Sequence, residues 1–380
     1  MKKIIQIMVM VVLCCFILTV PASAETEELL QEQYDAAQTQ ELMDHLPEGV
    51  EKQLEENGID SPSSENLFNF NIGDFFKNLW DTVVDTVTKP LHLLALCFGI
   101  MLLCALLQTM QSTVESSVSQ VFTMVSILAI SGVLMVPMAN CIQYGVETIK
   151  GASNFLLCFI PVFTGIVTAA GAPISGLGYH TALFSAIQFI SAAVSYIVVP
   201  FLGIFLALSV MSSLSGHTYF TKLTSSVKKL VIWGITLLLT IFTAIFSAQA
   251  MVSSAADGVT AKTAKFMVSS FVPVVGSALS DALISVKGCL GLVKSSVGSF
   301  GVIACILTFL PPILTVLFYM AAVKVSSAAG QVLQLKNLEG IFQAVYDTLS
   351  IVLALLISFS VLTIVCTALM VVMGNGGVTS

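Results

Sequence analysis

Two aspartates, two prolines and four histidines carry most of the chemistry this chain could perform within its apolar stretches. Asp257 and Asp281 are the carboxylates that an intramembrane aspartyl hydrolase would have to bring face to face around a shared proton. Neither sits in a Gly-x-Gly-Asp setting, so that reading is set aside. Asp281 remains of interest, because a carboxylate at membrane depth is costly unless it is paired or hydrated. It lines a pathway, or it is bonded near the interface by Ser277, Ser280 or Lys287. His45, His92, His180 and His217 form no HExxH or other close ligand pair, and no Gly-x-Ser-x-Gly elbow occurs. No catalytic residue, metal or cofactor is expected. A phosphate-binding Gly-x4-Gly-Lys-Ser/Thr loop is also missing, so no nucleotide is bound directly and any nucleotide-driven step belongs to a partner.

Pro161 and Pro273 are placed more tellingly. Phe159-Ile160-Pro161-Val162 recurs 112 residues later as Phe271-Val272-Pro273-Val274, with Gly276 just beyond. The register holds without a gap from Lys150/Lys262 to Leu202/Leu314, giving ten identities where a chain this biased gives roughly four or five by chance. A proline inside a helix removes one hydrogen bond and leaves a carbonyl that needs water, a neighbouring helix or a ligand. One such proline is a packing kink. Two in matched units suggest a built cavity or pathway.

The elements that hold these residues are membrane elements. The chain is 56% hydrophobic and only 10% charged over 380 residues, against about 25% charged for soluble domains. Its apolar runs are continuous rather than alternating, which predicts an all-α, polytopic helical membrane protein and not a β-barrel. About eight hydrophobic segments are expected, near 91–110, 118–138, 152–170, 181–211, 230–251, 266–286, 299–323 and 345–373, the third and sixth of them proline-broken. If those two cross the membrane fully, the repeat units are inverted and Lys228 lies opposite Lys324. If they are re-entrant, the units are parallel and the two lysines share a side.

Met1-Lys2-Lys3, the apolar run to Val20 and Ala22-Ser23-Ala24 read as a cleavable signal over 1–24, cut between Ala24 and Glu25. Residues 25–66 hold 13 of the 22 acids and one lysine, and read as a mobile or partner-dependent extramembrane arm. Residues 67–89 repeat Ile72, Phe75, Phe76, Leu79 and Val83 at helical spacing, an amphipathic interfacial helix. A first span and connector follow at 90–117, then repeat unit one at 118–229, unit two at 230–342, and a final span and short tail at 343–380. Surface-lying elbow helices are expected in the linkers at 215–229 and 324–347. All fifteen basic residues are lysine, so the arginine forks favoured for nucleic acid are missing. The cysteines carry no CxxC and read as small apolar packing groups.

The signal, the acidic arm, the amphipathic helix leading into Pro90-Leu91, the Phe-Ile-Pro-Val segment and the stretch from Phe271 to Ala282 together resemble the stage III sporulation protein AE family of endospore-forming bacteria. The resemblance implies a mother-cell protein in the membrane around the forespore. It implies membership of a channel complex with a secretion-type ATPase, small membrane subunits and ring-forming subunits. It supplies no catalytic residues. The alternative is a stand-alone secondary transporter built on the internal repeat.

Overall fold

Backbone groups inside a bilayer must be satisfied within their own segment, and the apolar runs accordingly fold as helices. The computed structural model describes residues 33–372, apart from 35–36, 38, 48, 64–71, 112–115, 216–217, 272–275 and 336–337. Two short helices in the arm, α1 (Glu41–Asp44) and α2 (Val50–Glu56), precede the long ones. These are α3 (Ile72–Gln111), α4 (Ser116–Ala169), α5 (Pro173–Ala193), α6 (Val199–Ser215), α7 (Thr218–Phe271), α8 (Gly276–Val332) and α9 (Glu339–Val372). No strand occurs among the described residues.

Six stretches are long and apolar enough to cross a membrane: Thr86–Thr109, Met124–Ala169, Pro173–Leu208, Lys228–Thr260, Gly288–Val332 and Glu339–Leu369. The expected eight segments therefore resolve differently. Segments 118–138 and 152–170 are one helix, α4, which passes through Pro137 and Pro161 unbroken. Segment 266–286 is no helix of its own; it straddles the end of α7 and the start of α8. The amphipathic stretch from Ile72 continues through Pro90 into the first span as α3. The elbow helices are absorbed into α7, α8 and α9.

Local chemistry sets the turns. Gly171 ends α4 with φ +96, its N–H donating to Thr168 O while Ala172 N donates to Val167 O, a Schellman closure. The end of α8 repeats that closure with Gln334 at φ 60. Between α5 and α6, Val194–Val198 is a π-turn just ahead of Pro200. The wider turn makes room where proline removes a donor and crowds the carbonyl four residues back.

The long helices pack around two apolar clusters. One holds Met101, Ile130, Met138, Val316, Leu349 and Leu356. The other holds Phe155, Phe159, Phe163, Val297, Phe300 and Leu362, together with Leu42, Leu54 and Ile59 of the arm. The described part of the arm is thus docked against the bundle: those three side chains are fully buried. Pro47 rests against Gly151 of α4, Pro62 O accepts from Ser296 Oγ of α8, and Asn78 of α3 donates to Glu56 O.

Candidate functional site

Where the arm crosses the bundle it roofs a cavity of about 600 Å³. Leu157, Pro161, Val162, Gly165 and Ala169 form one face of α4 and make its floor. Leu290 and Val293 of α8 form a second wall, and Gln33, Ala37, Glu41 and His45 of the arm form the third. The space exists because α4 presents short side chains here. A Cβ added to Gly165 would meet nothing within 4 Å. Glu41 and His45, one helical turn apart and both exposed, put the charged groups on the rim of an otherwise apolar hollow.

The duplicated phrase builds the ground under this cavity. Phe159 stacks along α4 between Phe155 and Phe163, with ring centroids 5.7 and 5.4 Å away. Opposite it α8 offers glycine. A Cβ on Gly301 would lie 2.5 Å from the Phe159 ring, and one on Gly298 would overlap Val371. Two helix backbones can approach this closely only where one carries no side chain. Pro161 points to the cavity side, and the helix keeps its course through it.

Three polar assemblies surround this region and the opposite end. Asp257 of α7, 5% exposed, accepts from Ile174 N at 2.9 Å and Ser175 N at 2.8 Å, so it caps α5 from 82 residues away. The helix's own cap residue, Ala172, has no side-chain acceptor, and Pro173 has no N–H to satisfy. Both Asp257 oxygens are therefore engaged in holding the start of α5. Lys294 of α8 is 3% exposed, and its Nζ has no hydrogen bond among the described residues. At the far end of the bundle Lys228 Nζ meets Asp347 Oδ1 at 2.7 Å, and Gln343 donates to the same oxygen. Lys228 and Lys324 both approach the Tyr346 ring, at 5.4 and 4.5 Å. The two lysines hence lie at one end of the bundle.

Of the residues singled out in sequence, Pro161 lines the cavity, Gly276 opens α8, and Asp281 lies in the second turn of that helix. Pro273, Ala24 and Glu25 lie outside the described residues, as does the side chain of Asp281. Sequence reasoning did not find Gly165, Gly298, Gly301 or Lys294. The charge of Lys294 inside an apolar run was the available signal. No group of three or more His, Cys, Asp or Glu side chains suited to a metal occurs among the described residues.

Six helical stretches long and apolar enough to cross a membrane define a multi-pass helical membrane protein. The family model of stage III sporulation protein AE matches residues 56–374, and the chain belongs to that family. Stage III sporulation protein AE of Bacillus subtilis (strain 168) is 26% identical over 243 residues. That match covers 63% of this chain and 61% of the relative, so less than two thirds of the relative's length is spanned. No solved structure matches the chain.

Proposed function

We propose that this protein is a non-enzymatic membrane subunit, platform or pore component, of the channel complex linking mother cell and forespore. In this reading it sits in the mother-cell-derived membrane around the forespore and is needed for late forespore development. Membership of the stage III sporulation protein AE family carries the proposal. The sequence offers no phosphate loop of its own, which assigns the driving force to a partner ATPase. Ring-forming and small membrane subunits are the other partners. Pro161 at the cavity, and Pro273, Gly276 and Asp281 at the junction of α7 and α8, are its candidate pathway elements.

A stand-alone transporter is the rival. The shared end of Lys228 and Lys324 weighs against the inverted repeat on which that rival drew. The test is affinity purification of the tagged full chain from sporulating cells, with late forespore gene expression measured in its deletion strain. Co-purification of the ATPase and ring subunits, together with loss of late expression, is the expected result. Solute uptake by the chain alone in liposomes, or normal sporulation without it, would overturn the proposal.

A further inference from the structure

The docked arm fixes where hydrocarbon cannot be. Glu41, Asp44, Glu51, Glu55, Glu56 and Asp60 are all exposed on it. The arm lies along α4 from Gly151, where Pro47 touches, to Ala169 at the cavity, and reaches α3 at Asn78. Exposed carboxylates do not sit in a bilayer core. The apolar level must lie below Gly151, on the side away from the arm.

The helices below that level have the surface a bilayer needs. On α3, Leu103 and Leu106 are 62% and 63% exposed; on α4, Val121 and Val136 are 59% and 64%; on α7, Leu230 and Trp233 are 70% and 67%. Polar residues bracket these faces on two helices: Lys89 and Thr109 on α3, and the exposed Gln143, Glu147 and Lys150 above Val121 on α4. On α7 the stretch around Asp257 lies level with Ile174, just past the end of α4 and so beyond Gly151. From Lys89 to Thr109 and Val121 to Gln143 the rise is about 30–33 Å at 1.5 Å per residue, the thickness of a hydrocarbon core. Beyond it α4 still runs from Gly151 to Ala169, about 27 Å further.

We infer that the arm-covered half of the bundle projects out of the membrane on the arm's side. Its cavity is a docking site for a short apolar peptide segment of a partner, flanked by basic residues. The floor is apolar, the rim carries Glu41 and its acidic neighbours, and no lysine lines the cavity among the described residues. The floor from Leu157 to Ala169 is about 18 Å long, room for roughly five or six residues of extended chain. A helix 10–12 Å across would need roughly 1,400–2,000 Å³ over that length, well beyond the 600 Å³ present. The peptide site rests on the proposal that the chain works within an assembly; the depth assignment stands without it.

Both parts are tested on the full chain in phosphatidylcholine nanodiscs with a charged, membrane-impermeant maleimide. Leu106→Cys and Val259→Cys start from almost equal exposure, 63% and 67%, but only Val259 lies beyond the hydrocarbon level. Val259→Cys reacts and Leu106→Cys does not. Equal reaction, or the reverse, refutes the projection. Cys158, partly exposed on the cavity floor, then reports occupancy. A hexapeptide of four apolar residues between two lysines slows its labelling. The same peptide with glutamates protects roughly two- to five-fold less, the size of one exposed charge contact. Glu41→Gln removes that difference, and Gly165→Leu, which fills open space, removes protection altogether. Equal protection by both peptides, or protection undiminished in Gly165→Leu, overturns the docking site. So does a Cys158 that lipid or the chain's own amino-terminal segment shields throughout. Co-purification with the sporulation subunits despite loss of peptide protection in Gly165→Leu would sink this site alone and leave the complex reading standing.

Discussion

Asp257 offers a perturbation whose size can be worked out from two hydrogen bonds. The first turn of α5 has two backbone donors that no helical carbonyl can reach, Ile174 N and Ser175 N, because Pro173 has none and Gly176 N already donates to Ala172 O. Asp257 accepts both, at 2.9 and 2.8 Å, from a position only 5% exposed. Asp257→Ala leaves two N–H groups unpaired, at about 1–3 kcal/mol each, and removes an anion from a helix amino terminus, about 0.3–1 kcal/mol more. The sum is about 2–5 kcal/mol after partial rehydration of the less buried Ile174 donor. Asp257→Asn keeps one acceptor oxygen and turns a donor toward the other N–H, so it loses about half as much. Thermal unfolding of the purified full chain in detergent measures the ranking, wild type above Asn above Ala. Proteolysis at Ala170 to Pro173 reports the local loosening. An Ala variant within about 0.5 kcal/mol of wild type, the scatter of ordinary surface substitutions, would refute the capping role. Asn as damaging as Ala would show that charge and not acceptor count matters there.

Three further outcomes follow from the same packing, each read by unfolding of the full chain. Gly165→Ala, in open space, stabilises by about 0.5–1 kcal/mol through helix propensity, whereas Gly301→Val, driven into the Phe159 ring, destabilises by about 1–3 kcal/mol; the same sign for both would contradict the glycine contact. Lys228→Met combined with Asp347→Ala gives a coupling of about 1–2 kcal/mol in a double-mutant cycle, less than a fully buried pair because Lys228 is 21% exposed. Lys294→Met replaces a buried amino group that has no hydrogen bond among the described residues with an apolar chain of similar length and raises stability by about 1–4 kcal/mol; a loss instead would reveal an anionic partner.

Much of the architecture is legible in composition, because continuous apolar runs without alternation leave only helices. The boundaries are not. Asn140, Gln143, Glu147 and Lys150 read as a loop between two spans, yet they form a polar face on an uninterrupted α4. Gln143 bonds Glu147 at 2.8 Å, and Thr148 and Ser153 return their hydroxyls to Tyr144 O and Ile149 O. Polarity there marks a depth in the membrane and not a turn. The arm misleads in the opposite sense. Leu42, Leu54 and Ile59 are too few and too irregular in an acidic background to show a stripe, though all three are buried. The site is legible only at Pro161. Its other walls come from α8 and the arm, and no local pattern announces a partner that distant.

The duplication is where sequence and structure part most instructively. In a gapless register the turn at Ala170–Ala172 falls on Ala282–Ile284, but those residues are inside α8. The reason is Gly171, whose φ of +96 closes α4. Its counterpart is Leu283, and a leucine adopts that backbone only at a cost of about 1–2 kcal/mol. The second unit instead ends its helix at Phe271, two residues before Pro273. In the first unit Pro161 stays helical and the glycine ten residues on makes the turn. The first phrase thus sits within a helix, whereas of the second only Phe271, at the end of α7, lies among the described residues. Matching prolines therefore do not guarantee matching jobs. Pro161→Ala and Pro273→Ala should differ in effect, the first acting on the cavity floor and the second on the end of α7.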